Sequence, residues 1–230
     1  MSVRLAFADA GEAADLAAFL ARLIHYDRAA AVRLQAANGA VAVFGRPPSF
    51  EVLAIRTARL ADPVDLDTTV SAGELLESVD ESAGTAEVPA AVTGPPWAGV
   101  LPPRGGWQQI DGLPSPDAVR TEIAAVVAEF RTRSEQLPPQ HRTRAEFDRI
   151  GREIWSRTLG TTELPVRAAH AAQSLGFLRP VRAMAAAGGP GEDQSFVLLA
   201  AGMWLRLRTP YGSIAVRKAS APGGLSVTPA

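Results

Sequence analysis

Asn38-Gly39 lies between two runs rich in alternating apolar residues, Ala31–Ala36 and Ala40–Phe44, and this leaves little freedom for what the stretch becomes. The dipeptide supplies two consecutive residues tolerant of positive φ, as a type I′ turn requires, and the twist of that turn matches two paired strands. Ala31–Phe44 is therefore expected to be a β-hairpin. After Gly45-Arg46-Pro47-Pro48, Phe50–Leu60 alternates again, with Val52, Ala54 and Arg56 on one side and Leu53, Ile55 and Thr57 on the other. It reads as the third strand of a meander.

Ahead of the hairpin, Val3–Ala8 places Val3, Leu5 and Phe7 on one face and reads as a strand. Asp9-Ala10-Gly11-Glu12 has the form of a capping box, and Leu16, Phe19, Leu20 and Leu23 then form the stripe of an amphipathic helix. A second box, Ser71-Ala72-Gly73-Glu74, opens a short helix through Leu75, Leu76 and Val79. In its element order the stretch of about residues 1–90 resembles one domain of a bacterial DNA sliding clamp. The likeness is carried by Val32–Val43 around Asn-Gly, the strand Val52–Leu60, and Thr69-Val70-Ser71-Ala72-Gly73-Glu74-Leu75-Leu76. The resemblance implies a fold and not DNA encirclement. A clamp repeats its domain to close a ring and presents basic helices to DNA, whereas no second copy follows here. Arg22 is nearly alone on the first helix, and the second offers Glu74 and Glu77.

Charge divides the chain. Through Ala91 there are 13 Asp/Glu against 7 Arg, a net of −6; from Val92 onward there are 11 acidic and 16 basic residues, a net of +5. A basic unit suggests a polyanionic partner and an acidic one a protein partner. Lys218 is the single lysine among 23 basic residues, a bias of the kind GC-rich bacterial coding produces, and arginine can fork onto phosphate or carboxylate. Zero Cys excludes disulfides and thiolate chemistry, and no apolar run reaches the ~20 residues that span a bilayer. With no signal-peptide pattern at Met1–Arg4, the expected location is cytoplasmic and no membrane contact is expected.

Asp80–Gly106 is rich in Pro, Gly and Ala and carries no periodicity. Trp97 and Trp107 make it a wrapping segment in preference to a free linker, because large indoles gain most when docked in a groove. The other reading is a Pro-rich ligand for a protein partner. The chain thus divides into a clamp-like module over 1–80, a wrapping segment over 81–114, a helical domain with a basic hairpin over 115–219, and a tail over 220–230.

In the back half, Ser115-Pro116 starts a helix carrying Val119, Ile123, Val126, Val127 and Phe130. A second helix runs from about Arg142 to Leu159, with Arg142, Arg149 and Arg152 on its outer side. Residues 165–184 resemble a degenerate helix-turn-helix, with Ala172 where helices cross and Gly176 where the backbone reverses; a plain αα corner explains the same residues. Met203–Arg208, a Thr-Pro-Tyr-Gly turn and Ser213–Lys218 form a hairpin with Leu205 and Leu207 inward and Trp204, Arg206 and Arg208 outward. Helices followed by a basic hairpin is the order of a winged helix. The fold class is α+β: an N-terminal β-meander with two helices and a C-terminal helical part ending in a hairpin.

No GxSxG elbow, phosphate-binding glycine loop or HExxH motif occurs, and His25, His141 and His170 are far apart in sequence. His25-Tyr26-Asp27 sits where a helix C-terminus explains the histidine. Asp62, Asp65 and Asp67 lack the glycine and bidentate glutamate of a calcium loop and read as a solvated turn. The expectation is a non-catalytic protein without metal or organic cofactor. It binds the DNA or RNA backbone through Arg206, Arg208, Arg217 and Lys218, with Arg142, Arg149, Arg152, Arg167, Arg179 and Arg182 nearby. The competing reading is a protein–protein adaptor that uses the acidic half or the Trp97/Trp107 segment.

Overall fold

The computed structural model describes residues 3–48, 50–180 and 196–218. Strand β1 (Arg4–Ala6) leads into helix α1 (Ala10–Tyr26), whose start is capped by Asp9: its carboxylate accepts from the Glu12 amide at 3.0 Å. Glu12 does not reach back to complete the box; its carboxylate is taken by Arg56 and Arg59. Strands β2 (Ala31–Ala37) and β3 (Ala40–Gly45) are joined through Asn38 and Gly39, both at positive φ (54° and 75°). The meander continues into β4 (Leu53–Arg59), and β5 (Leu66–Ser71) enters α2 (Ala72–Ser78), capped by the Ser71 hydroxyl. Two strands not foreseen in the sequence follow, β6 (Val79–Asp80) and β7 (Thr85–Glu87); β7 pairs with both β1 and β6 in a small sheet ordered β1-β7-β6.

The back half contributes β8 (Gln108–Ile110), α3 (Pro116–Glu135), α4 (Arg144–Trp155), α5 (Val166–Ser174), β9 (Val197–Ala201), β10 (Trp204–Thr209) and β11 (Gly212–Arg217). Ser115 caps α3 with Pro116 in its first turn, as the sequence indicated. The α+β class is as expected.

The halves do not form separate sheets. The main sheet has eight strands in the order β5-β2-β3-β4-β11-β10-β9-β8, joined at its centre by antiparallel β4 and β11 (Leu53↔Ala215, Ala54↔Ile214, Ile55↔Ser213). The order reads as a palindrome: each half gives a three-strand meander whose first strand pairs with one more strand of its own half. One core follows from one sheet. Leu16, Leu23 and Val43 of the front half belong to the same buried cluster as Ile123, Ile154, Leu205 and Ile214 of the back half.

The sheet's position does not confirm the winged-helix analogy. The C-terminal hairpin is internal to the large sheet: β10 pairs on one side with β9 and on the other with β11, which pairs in turn with β4. In the helix-turn-helix fragment, α5 ends and Gly176 takes φ 77°, with the Phe177 amide donating to the Ala172 carbonyl at 2.8 Å. The second helix of that motif, expected to open at Pro180, lies beyond that residue outside the described residues, and Arg182 with it, as does the tail over 220–230.

Helices cover the inner face of the sheet. On the outer face Phe44, Leu53, Ile55 and Ala215 form a smaller cluster with Trp97, Leu101 and Trp204. Part of the proline-rich segment thus lies against the sheet, and Val92 ties it there through its amide on the Thr69 carbonyl at 2.9 Å. Trp97 and Trp107 are half-buried rather than fully enclosed.

Candidate functional site

Because β3–β4, β4–β11 and β11–β10 all pair antiparallel, the end of β3, the start of β4, the end of β11 and the start of β10 lie side by side. Trp204 and Arg217 are register partners there. To this edge the β3–β4 connection brings Arg46 and Glu51, the short turn Pro96–Gly99 brings Trp97, and the first turn of α5 brings Arg167. These six side chains line a cleft of about 400 Å³, within the usual range of ligand sites. A second cavity of about 470 Å³ adjoins it and shares Arg46 and Trp97.

Three guanidinium groups against one carboxylate make the cleft basic. Arg217 holds its guanidinium 5.2 Å from the Trp204 ring centre, a cation–π contact that fixes both. Arg167 Nε lies 3.8 Å from Glu51 Oε2, an ion pair too long to be a hydrogen bond. The nine-residue α5 has no side-chain cap and no acidic residue in its first turn, so the positive end of its dipole beside Arg167 is not offset. The cleft thus offers positive charge and flat indole surface together.

Among the described residues, the other sequence-predicted arginines do not line this cleft. Arg206 and Arg208 lie on the outer sheet face but are half-buried; Arg206 donates to the Ser213 hydroxyl at 2.9 Å and stands 5.8 Å from the Trp107 ring centre. Lys218 pairs with Glu163 at 3.0 Å. Arg179 pairs with Asp15 and lies 3.8 Å over Tyr211. Arg142 donates to the carbonyls of Leu137 and Glu135 at 3.0 Å each and ties down the end of α3. Arg149 pairs with Glu146 at 2.8 Å, and Arg152 is exposed on the same helix. The α4 arginines belong to the helical layer and the hairpin arginines to the opposite sheet face, so the expected single basic surface is divided. Among the described residues of that set, Arg167 and Arg217 meet in the cleft. Arg46 and Glu51 were missed, and Trp204 was placed on the correct face without being assigned to the site.

Asp67 bonds Arg33 at 2.9 Å and Gln35 at 3.2 Å. Among the described residues no group of three His, Asp or Glu side chains is placed to hold a metal ion. His170 stacks on Trp155 (4.6 Å between ring centres) and meets Phe50 edge-on, and burial pushes its imidazole below the ordinary value. No helix among the described residues is long and apolar enough to cross a membrane.

Fold and cleft define the class: a mixed α+β protein in which two halves of one chain complete a single antiparallel sheet, with a basic, indole-walled cleft at their junction. Residues 102–221 match the family described as Domain of unknown function (DUF8185), and the chain belongs to that family. Residues 1–99 match a second family, Domain of unknown function (DUF8010). The cleft therefore takes Arg46, Glu51 and Trp97 from the first matched stretch and Arg167, Trp204 and Arg217 from the second. No curated protein and no solved structure matches the chain.

Proposed function

We propose that this protein binds single-stranded nucleic acid without reacting with it, through the cleft at the β4–β11 junction. The observation that carries the reading is the composition of that cleft. Arginines suit phosphate oxygens, and Trp97 and Trp204 offer faces on which bases stack in a sequence-tolerant way. Indoles add nothing to recognition of a plain acidic peptide, and this favours nucleic acid over the adaptor reading. A cytoplasmic setting accords with such a ligand.

The test is titration of a labelled single-stranded oligonucleotide over a salt series. If the three arginines each meet a phosphate, log K falls against log salt with a slope of about −2, at roughly −0.7 per phosphate on a single strand. Trp97→Ala is expected to cost about 1–3 kcal/mol of binding by loss of stacking. Arg217→Glu is expected to remove binding at moderate salt. Absence of binding at low salt, or equal binding by Arg217→Glu, overturns the reading; equal affinity for a polyglutamate peptide would assign the cleft to an acidic protein partner.

A further inference from the structure

Glu51 and Asn38 are the two non-glycine residues with positive φ among those described. Asn38 is accounted for by its turn. Glu51, at φ 53°, has neither glycine's freedom nor asparagine's tolerance of the left-handed region. Such a conformation persists where surrounding structure enforces it, and it concentrates at ligand sites. Glu51 stands at the rim of the cleft, its side chain 73% exposed, with its carboxylate 3.8 Å from Arg167 Nε. That nitrogen is buried and has no hydrogen-bond partner among the described residues. Glu51 therefore offsets the charge of Arg167 without satisfying its donor, and a buried donor left unpaired is a standing cost.

A phosphate oxygen moving in to hydrogen-bond distance removes that cost and replaces Glu51 as counter-ion. We propose that Arg167 is the phosphate seat of the cleft, and that Glu51 is a displaceable internal anion which competes with ligand for it. This deepens the nucleic-acid reading and rests on it. The consequence is a cleft tuned against weak anions: a ligand must out-compete a tethered carboxylate, so free phosphate is held poorly while a chain that also stacks on the indoles succeeds.

The experiment measures affinity for a fluorescein-labelled single-stranded thymidine decamer, with inorganic phosphate as competitor. Glu51→Gln removes the charge and keeps the backbone demand; Glu51→Gly removes both. Each is expected to tighten decamer binding by about fivefold, the scale of one partly exposed ion pair, and to let phosphate displace the decamer at lower concentration than from the unaltered protein. Adding Arg167→Gln to Glu51→Gln is expected to abolish the gain, with far-UV circular dichroism confirming the fold. Unchanged or weaker binding by Glu51→Gln, or a gain that survives loss of Arg167, overturns the proposal. If the unaltered protein binds and loses binding with Arg217→Glu while Glu51→Gln changes nothing, this inference alone fails. If neither the unaltered protein nor Glu51→Gln binds, the nucleic-acid reading fails with it.

Discussion

Replacing Arg56 by Met tests whether the two halves are held as one unit. Arg56 points from β4 to the inner face and is only 7% exposed. Its Nη2 donates to Glu12 at 2.9 Å and to Asp15 at 3.3 Å, both on α1, and its Nη1 donates to the Tyr211 carbonyl at 3.2 Å in the β10–β11 turn. One guanidinium thus ties the front sheet, the front helix and the back hairpin. Removing one partner of a buried ion pair costs about 3–5 kcal/mol, chiefly because the other charge is left uncompensated. Here Glu12, with a side chain 12% exposed, retains Arg59 at 2.9 Å, and Asp15 retains Arg179. These surviving partners lower the expected cost of Arg56→Met to about 2–3 kcal/mol.

The assay is urea unfolding followed by both circular dichroism and tryptophan emission. Because β4 and β11 are neighbours in one sheet, the two probes should give coincident transitions in the unaltered protein and in the variant. Arg56→Met combined with Glu12→Leu removes both charges and should recover most of the loss, since an apolar replacement of a whole buried pair is often neutral. A cost for Arg56→Met below about 0.5 kcal/mol, the scatter of an ordinary surface change, would falsify the linchpin role. So would two separated transitions in the unaltered protein.

Other outcomes follow from the same structure. Gly212 has φ 153°, and a Cβ there would stand 2.6 Å from the buried Phe177 ring, so Gly212→Ala should cost about 2–4 kcal/mol in the same urea experiment; near-neutral behaviour would show that the turn relaxes freely. His170 is held below its ordinary value of 6.5 by burial, so the unfolded chain binds the proton more readily than the folded one. Stability from this group is complete above that value and declines as pH falls toward the folded pKa; His170→Gln should flatten the drop in unfolding midpoint between about pH 7.5 and 5.5. Glu129 and Glu153 are held below the usual carboxylate range by Arg157 and Arg133 respectively, so the α3–α4 contact should loosen only in more acid solution, detectable as amide exchange in α4.

The front half was legible because its signals are local. Asp9 and Ser71 each cap the helix they precede, and Asn38-Gly39 sets a register that carries Val32, Leu34, Val41 and Val43 inward. β6, β7 and β8 escaped notice because two or three residues cannot display a period; β7 and β8 are fixed by long-range pairing with β1 and β9, and β6 only by its short hairpin with β7. β9 escaped for a different reason: Val197-Leu198-Leu199-Ala200-Ala201 is apolar throughout and has no alternation to read. The joining of the halves did leave a trace. Leu53, Ala54, Ile55 and Arg56 are all buried, so both faces of β4 are covered, and apolar residues on the two faces already implied an outer layer.

Charge was the signal that misled most about the site. An acidic front and a basic back suggested a basic domain free to meet a polyanion, yet several of those charges are spent within the molecule. Asp15 holds Arg179, Glu51 faces Arg167, Glu163 holds Lys218, and Glu129 and Glu153 bind Arg157 and Arg133. Counting arginines along a half could not separate these from the few that converge. What could have separated them was register. From the Thr-Pro-Tyr-Gly turn, Trp204 and Arg217 are opposite one another on the outer face, and β4 follows β3 through Arg46-Pro47-Pro48 to the same end of the meander. The missing step was the β4–β11 pairing, a contact between residues 53–55 and 213–215 that no local pattern encodes. Once that pairing exists, the strand ends align and the cleft is a geometric consequence. Disrupting the pairing should therefore destroy the cleft even if every arginine and tryptophan in it is retained.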